Sequence, residues 1–373
     1  MPMRIATFNV ENLFERPKAM NLPGWKAGQQ LLEDYAKLNQ LFQKDPYSAK
    51  DRQEMLERLK RNGLLSTAEQ GKFMILRRNR GRLLYRPKGK PVEVAAGGRA
   101  DWIGWVELIR EPVNERAVQN TARVIKELAA DVLGVIEAEN RPGLQRFNGQ
   151  VIPDVQGTPY DHVMLIDGND DRGIDVGLMT GADYPIGSIR SHVDDRADGQ
   201  RIFSRDCPEY EVRLPSGKSL WVLLNHLKSK GYGKPADSDA RRKKQAQRVR
   251  EIYEALRASG ARYVAVIGDF NDTPQRDPLS PLLGSGSDLK DISTHPRFQS
   301  DGRPGTHGNG TASAKLDYIL LSPDLYSKVL SGGVERKGVW GGTHGTLWEH
   351  FPTMERSEEA ASDHAALWAE LDV

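Results

Sequence analysis

YVAVIGDFND, residues 263–272, is a run of β-forming apolar side chains that becomes polar at Asp269. A short apolar run closed by Gly and Asp is typical of a buried strand that ends in a turn. Asp269 and Asn271 are therefore expected at a strand end, where loops gather side chains into functional sites.

The same pattern recurs along the chain. Further strand-like runs are RIATFNV (4–10), DVLGVIEAE (131–139), GIDVGLM (173–179), YEVRLP (210–215), SLWVLLNHL (219–227), KLDYILLS (315–322) and AALWAEL (365–371). Residues 114–130 and 239–259 have helical spacing instead. Many strands with few helices between them predict an α+β fold, in which packed sheets are covered by helices as in a four-layer sandwich.

Composition narrows the class of protein. The 373 residues carry a net charge of +2, too small to indicate a polyanionic partner by itself. The single cysteine, Cys207, excludes an internal disulfide framework and a Cys-based zinc site, and we interpret it as an inert thiol. No apolar stretch is long enough to cross a bilayer and no leader pattern is present, so we expect a cytoplasmic protein without membrane association. No protein partner can be inferred.

Residues from about 20 to 110 form a distinct segment. Two helix-like stretches between residues 30 and 70 precede GKFMILRRNRGRLLYRPKGK (71–90), which has eight Lys or Arg and no Asp or Glu and is predicted to be a β-hairpin. This hairpin would either grip a nucleic-acid backbone, with Phe73 or Tyr85 stacking on bases, or be a solvated ribbon with charged edges. A second basic run, 241–250, is interpreted as a solvated helix face.

Six motifs carry a resemblance to a known family. They are FNVEN, the strand ending in Glu137, the Asn-His pair in LLNHLKSK, GDFND, KLDYI and SDH. In this order they resemble the endonuclease/exonuclease/phosphatase superfamily, which includes pancreatic deoxyribonuclease and exonuclease III. The resemblance covers residues 1–14 and 113–373. It implies a four-layer α/β/β/α sandwich of two mixed sheets, forming one catalytic domain over residues 1–373, with the segment at about 20–110 inserted in it.

The resemblance also implies a metal site. Glu11, Glu137 and Asp363 are identified as ligands of Mg²⁺ or Mn²⁺, and Mg²⁺ prefers a few carboxylates with water molecules to nitrogen or sulfur ligands. Asn9 would hold this cluster or contact the phosphate. The sequence departs from the family at Ile136, where a Gln is common before the ligand Glu.

The catalytic roles follow from the same resemblance. Asp269 would orient or deprotonate the attacking water, and Asn271 would bond a phosphate oxygen. His364 is similar to the catalytic imidazole and would be paired with Asp317. His226 and Asn225 would contact the same phosphate from the opposite side, and which histidine assists the leaving group stays open.

Two assignments have structural alternatives. Arg205 resembles a phosphate-contacting arginine, although a surface salt bridge is an equal alternative. Asp175 is a possible partner of His226, the alternative being an ordinary buried or turn residue.

Three functions are compatible with these motifs. The first is a metal-dependent nuclease acting on DNA or RNA, supported by the basic insertion. The second is a phosphatase or phosphodiesterase acting on a small phosphorylated molecule or a lipid headgroup, because the fold does not determine the substrate. The third, a catalytically inactive binding module, requires the loss of site residues, yet every motif retains competent side chains.

Overall fold

The computed structural model describes residues 2–22, 25–170, 172–230 and 234–373. These residues divide into two compact units: a sandwich unit (2–14, 113–230 and 234–373) and an insertion unit (15–112). The insertion unit includes the segment predicted as an insertion; its place within one catalytic domain stays a prediction. Among the described residues, none of the helices combines the length and the hydropathy that spanning a lipid bilayer requires.

The strands and helices formed by the described residues are numbered in chain order. The strands are Met3–Asn9 (β1), Glu15–Pro17 (β2), Met74–Arg80 (β3), Leu84–Tyr85 (β4), Glu93–Val94 (β5), Ile103–Leu108 (β6), Arg110–Pro112 (β7), Val132–Ala138 (β8), His162–Ile166 (β9), Asp175–Thr180 (β10), Ile186–Arg190 (β11), Arg196–Ala197 (β12), Gln200–Arg201 (β13), Glu209–Arg213 (β14), Ser219–His226 (β15), Tyr263–Asp269 (β16), Lys290–Asp291 (β17), Phe298–Gln299 (β18), Asp317–Leu321 (β19), Val329–Glu335 (β20) and Ala366–Leu371 (β21). The helices are Trp25–Phe42 (α1), Ala49–Arg61 (α2), Glu115–Leu128 (α3), Arg141–Arg146 (α4), Ile152–Asp154 (α5), Pro235–Ala258 (α6), Ser280–Leu283 (α7) and Pro323–Tyr326 (α8).

The sandwich unit contains two large mixed sheets. Their strand orders are β18-β20-β21-β1-β8-β10-β9 and β11-β14-β15-β16-β19-β17. In the first sheet β1 is parallel to β8 and antiparallel to β21; in the second, β15 is parallel to β16. Helices α3 and α6 pack on the outer faces of the first and second sheet respectively. The predicted four-layer α+β sandwich is confirmed.

Strand β16 shows why this sequence produces buried layers. All seven of its residues are buried. Ala265 and Ile267 belong to the core between the sheets, whereas Val264 and Val266 belong to the core beneath α6. Because successive side chains of a strand point to opposite faces, a continuous apolar run is required where both faces are covered.

The insertion unit has its own apolar core, formed by residues from α1, α2 and the short strands. The predicted hairpin over residues 71–90 is wrong. Strand β3 pairs antiparallel with β6, and β4 pairs with β5. Met74 and Leu76 are buried with Val106 and Leu108, which β6 supplies in matching alternation. The pairing of β3 is therefore determined by burial of its apolar side chains against those of the distant β6, and not by the local Asn-Arg-Gly turn.

Parallel pairing places the chemically important strand ends together. Asn9 at the end of β1 pairs with Ile136 of β8, one residue before Glu137. His226 at the end of β15 pairs with Asp269 at the end of β16, and Asp269 in turn pairs with Asp317. One edge of the sandwich unit thus collects side chains that are far apart in sequence.

The sandwich unit holds a buried histidine, His192, between two carboxylates just after β11. His192 Nδ1 lies 2.8 Å from Asp195 Oδ2, and its Nε2 lies 2.7 Å from Glu209 Oε1. Burial lowers the pKa of His192, but the bonds to Glu209 and Asp195 outweigh burial and raise it above its usual value. Arg248 also donates to Asp195, at 2.7 Å. The charged imidazole therefore ties the loop after β11 to β14.

We expect His192→Gln to lower the free energy of unfolding by roughly 1–3 kcal/mol at pH 5.5, because a buried carboxylate loses its charged partner. A raised histidine pKa contributes stability that is complete below the unfolded value and is lost as pH rises through the folded value. Denaturant unfolding of both proteins at pH 5.5 and 8.5 measures the difference. An equal loss at both values would contradict a charged His192.

Candidate active site

Asp269 is the centre of the strand-end cluster. Its Oδ1 accepts the backbone N–H of Asn271 at 2.8 Å, and its Oδ2 accepts the side-chain amides of Asn271 and Asn9 at 3.1 and 3.3 Å. Burial, with a further contribution from the charge of Asp317, raises the pKa of Asp269 to about 7. The carboxylate is thus oriented by three donors and is poised to exchange a proton near neutral pH.

His364 is paired with Asp317. Its Nδ1 lies 2.8 Å from Asp317 Oδ2, and its Nε2 lies 3.9 Å from Asp269 Oδ2. Burial lowers the pKa of His364, but Asp317 raises it more, and Asp269 and Asp363 add to the effect, so the net pKa is well above the usual range. The imidazole is therefore held as a cation, with Nε2–H directed away from Asp317.

His226 has the opposite electrostatic setting. Its Nε2 lies 3.5 Å from Glu137 Oε1 and 3.7 Å from Asp269 Oδ2. Burial lowers the pKa of His226 well below the usual range, and the nearby charges of Arg205 and Arg172 lower it further. A neutral and a charged imidazole therefore flank Asp269, an arrangement that separates acid from base roles.

The structure does not form the predicted pair of Asp175 and His226. Among the described residues, His226 Nδ1 is buried without a hydrogen-bond partner. Asp175 Oδ1 instead accepts the backbone N–H of Gly168 at 2.8 Å, and burial raises the pKa of Asp175 to about 7. The alternative interpretation, a buried aspartate that fixes a loop, describes this residue.

The three predicted metal ligands lie at the same edge but point to different partners. Glu11 Oε2 accepts the backbone N–H of Asp363 at 3.2 Å. Asp363 Oδ2 lies 3.1 Å from His307 Nε2, and Glu137 Oε1 lies 3.5 Å from His226 Nε2. In the described part of the chain these three carboxylates are not a group whose ligating atoms all lie within 4.8 Å; Glu137 forms such a group with His226 and Asp269.

Backbone strain is concentrated at this edge. Glu11, Glu137 and Asn271 have φ angles of 50°, 69° and 54°, in the left-handed region that non-glycine residues seldom adopt. Each such residue costs on the order of 1–3 kcal/mol and persists where the surrounding structure enforces it. Three of them among the predicted site residues indicate that the side-chain directions are imposed by the fold.

Arg205 and Asn225 lie beside His226 as buried polar groups. The Arg205 side chain is 2% exposed and its Nε lies 3.1 Å from Asp170 Oδ2, so the surface salt bridge considered as its alternative does not describe it. Within the residues that the structure describes, Arg205 Nη1 and Asn225 Oδ1 are buried without a hydrogen-bond partner. Asn225 Nδ2 donates to the carbonyl of Leu223 at 3.1 Å. Buried polar atoms of this kind are suited to a bound ligand.

Three functional candidates escaped the sequence analysis. Burial, with the charges of Arg172 and Arg205, lowers the pKa of Lys228 to about 7. Arg172 binds both oxygens of Asp170, at 2.8 and 2.6 Å. The third is His307. The Asn-His-Leu-Lys run was the one signal for Lys228, whereas Arg172 and His307 lie in Gly- and Asp-rich segments without periodicity.

Cys207 is fully buried, and burial raises the pKa of its thiol well above the usual value. A thiol that stays protonated is a poor nucleophile. This environment is that of an inert core residue.

The sequence matches the model of the Endonuclease/Exonuclease/phosphatase family over residues 112–364. The chain belongs to this family. Its members are phosphoric ester hydrolases that depend on divalent metal ions, and the chain is accordingly a metal-dependent phosphoric ester hydrolase. The resemblance carried by the six motifs is thereby confirmed.

Solved structures with a TM-score of 0.50 to this chain share its fold. A family protein from Bacteroides thetaiotaomicron is 17% identical with a TM-score of 0.50, and the match covers 69% of this chain and 86% of that one. A mannosyl-6-phosphatase from the same organism is 17% identical with a TM-score of 0.50, covering 69% and 91%. Truncated TDP2 of Caenorhabditis elegans is 16% identical with a TM-score of 0.48, covering 69% and 90%. No curated protein matched in sequence.

Proposed function

We propose that this family member is a nuclease that hydrolyses phosphodiester bonds of DNA or RNA by attack of water. The observation that carries the hydrolytic part is the oriented carboxylate of Asp269 between a cationic His364 and a neutral His226. Asp269 takes the proton of the attacking water, and His364 Nε2–H faces the developing charge. His226, Asn225, Asn271 and Arg205 contact the phosphate oxygens.

The donor set at this edge suits a hard divalent cation. The ligating atoms of Glu137 and Asp269 form a compact group with His226, and Glu11 accepts the backbone N–H of Asp363 at the same edge. Carboxylates that lie close together in a buried group are costly unless a cation offsets their charge. Glu137, Glu11 and Asp363 would hold Mg²⁺ or Mn²⁺, which when bound polarises a phosphoryl oxygen.

The insertion unit supports a polymeric substrate. Strand β3 and the segment after it expose six cationic side chains: Arg77, Arg78, Arg80, Arg82, Lys88 and Lys90. Tyr85 and Trp105 are the large apolar side chains exposed among them, at 50% and 44%. Phosphates bind such cations, and bases stack on exposed rings. We name these eight residues the basic ribbon and propose that it binds single-stranded nucleic acid.

The direct test is cleavage of labelled single- and double-stranded DNA and RNA and of plasmid, with Mg²⁺ or Mn²⁺ and with EDTA. His364→Ala, purified identically, controls for a contaminating nuclease. Metal-dependent cleavage that is lost in His364→Ala supports the proposal. If no polymer is cleaved while phosphomonoesters are, the enzyme acts on a small phosphorylated molecule, in line with the mannosyl-6-phosphatase that shares its fold.

Neutralising the basic ribbon is expected to weaken binding of single-stranded oligonucleotides. In the full chain, Arg78→Gln with Arg82→Gln removes two charges, so the slope of log affinity against log salt shrinks by about 1.4. Fluorescence anisotropy over a salt series measures this slope. Lys50→Gln with Lys60→Gln, which removes two exposed charges from α2 of the same unit, is the matched control. Equal slopes in the two double variants would refute the ribbon as a binding surface.

Arg205→Lys is expected to raise KM about 10- to 100-fold with a smaller change in kcat. Lysine keeps the charge next to Asp170 but lacks the planar fork that binds two phosphate oxygens, and a hydrogen bond to a charged group is worth about 1.5–3 kcal/mol. Steady-state kinetics on the preferred substrate separates KM from kcat. An unchanged KM in the folded variant would make Arg205 a counter-ion of Asp170 alone.

A further inference from the structure

His307, Asp363 and His364 form a compact cluster of donor atoms on the sandwich unit. Their ligating atoms, one from each residue, lie within 4.8 Å of one another. His307 Nε2 is 3.1 Å from Asp363 Oδ2, and His364 Nε2 is 3.8 Å from Asp363 Oδ1. Metal–ligand bonds of about 2.1 Å place neighbouring donors roughly 3 to 3.5 Å apart, so small side-chain movements suffice to close this set around one ion.

The backbone holds the two histidines side by side. The backbones of His307 and His364 form an antiparallel bridge. Their rings pack edge to face with their centroids 4.8 Å apart. Gly308 donates to the carbonyl of Asp363 at 2.8 Å, and Ala365 donates to that of Thr306 at 2.7 Å. These bonds join residues 306–308 to residues 363–365 across more than fifty positions of sequence. The cluster is therefore built into the fold.

The hydrogen bond between His364 Nδ1 and Asp317 leaves Nε2 as the coordinating atom. Asp317 receives Nδ1–H of His364, which directs Nε2 toward the cluster. A carboxylate that binds the far nitrogen of a ligating histidine fixes its tautomer and orientation. The side chains of His307 and Asp363 are 39% and 50% exposed, so an ion can enter from solvent.

We propose that His307, Asp363 and His364 form a second metal site, which takes a first-row transition-metal ion such as Co²⁺ or Zn²⁺. Two imidazoles and one carboxylate suit these ions, whereas Mg²⁺ prefers oxygen ligands. The inference rests on the proposed function only in that the site shares Asp363 with the proposed magnesium ligands and His364 with the proposed catalytic groups. An ion held by Asp363 and His364 occupies groups that the proposed hydrolysis uses, so occupancy by Zn²⁺ lowers the magnesium-supported turnover.

The test is a titration of tag-free protein with Co²⁺ in excess Mg²⁺, followed by visible absorption. Wild-type protein is expected to bind one equivalent with bands typical of nitrogen ligation, and Zn²⁺ is expected to compete with Co²⁺ for the same ligands. His307→Ala should weaken Co²⁺ binding by about 100-fold or more. His295→Ala, which removes an imidazole packed on Tyr326, should bind Co²⁺ like wild type.

Two results would overturn the site. One is the absence of Co²⁺ binding to wild-type protein; the other is equal affinity in wild type and His307→Ala. If His307→Ala unfolds by circular dichroism, His307→Asn is titrated in its place. The titration uses no substrate, so failure to cleave nucleic acid leaves its outcome unchanged, and loss of the Co²⁺ site leaves the nuclease proposal intact.

Discussion

Asp269→Asn is expected to lower kcat about 10²- to 10⁴-fold with little change in KM. The amide cannot accept the proton of the attacking water, and general base catalysis contributes a factor of this size. Asn9 and Asn271, which now donate to this carboxylate, would also face an amide nitrogen. Single-turnover kinetics on the preferred substrate, with wild type and variant at equal metal concentration, measures the effect.

The matched control is Asp272→Asn, three residues further along the chain. Asp272 is also buried, but its carboxylate is paired with Lys230 and with Arg242. Although burial raises the pKa of Asp272, the bond from Lys230 and other partners outweigh it, and the pKa is lowered. Its charge therefore stabilises the fold above the unfolded pKa, and this is lost as pH falls through the folded value. We expect Asp272→Asn to lose stability and keep kcat within a few-fold; a similar loss of kcat in both variants would show that Asp269 acts through folding alone.

Glu137→Gln is expected to abolish the metal dependence of turnover and to lower kcat about 10³-fold. A bound divalent ion contributes several kcal/mol of charge stabilisation in the transition state, and each 1.36 kcal/mol corresponds to a factor of ten. Glutamine is of similar size but carries no charge, so the affinity for Mg²⁺ falls with it. Isothermal titration with Mg²⁺ measures binding, and turnover against metal concentration measures its consequence.

Glu139→Gln is the control that separates loss of metal binding in Glu137→Gln from a structural disturbance at the same end of β8. Glu139 Oε1 accepts the backbone N–H groups of Leu13 and Phe14, at 3.0 and 2.6 Å, and so anchors the loop after β1. We expect this variant to unfold more easily, by roughly 1–3 kcal/mol, with its metal affinity retained. If Glu137→Gln binds Mg²⁺ as tightly as Glu139→Gln does, Glu137 is not a ligand.

Most of the sandwich unit could be predicted from sequence because a strand that is buried on both faces requires a continuous run of apolar residues, which is visible in the sequence. The runs ending at Asn9, Glu137, His226 and Asp269 are strands, and the fold class and family are confirmed. The same reasoning failed for the basic segment of the insertion unit, residues 71–90, where it predicted a hairpin that is not formed. Its apolar residues match those of β6 across about thirty positions, and a turn motif between two short runs does not reveal such a partner.

The structure brings some of the predicted site residues together, and their roles stay predictions. Asp269, Asp317 and His364 meet as the motifs implied, and Asn9 and Asn271 bond to Asp269. The predicted partner of His226 was not found there, because Asp175 is occupied by the backbone of its own loop. The shape of a loop depends on backbone hydrogen bonds that leave no pattern in the order of side chains.

The sequence by itself determined which residue types stand at the strand ends and in what order, since apolar periodicity and motif spacing are local properties of the chain. Only the tertiary structure decided that His364 is a cation and His226 is neutral, because each pKa depends on burial and on charges supplied by distant segments. It alone brought His307 to Asp363, through the backbone bridge between His307 and His364, which lie more than fifty positions apart in sequence. Electrostatics and long-range register arise from packing, and packing is a property of the whole fold.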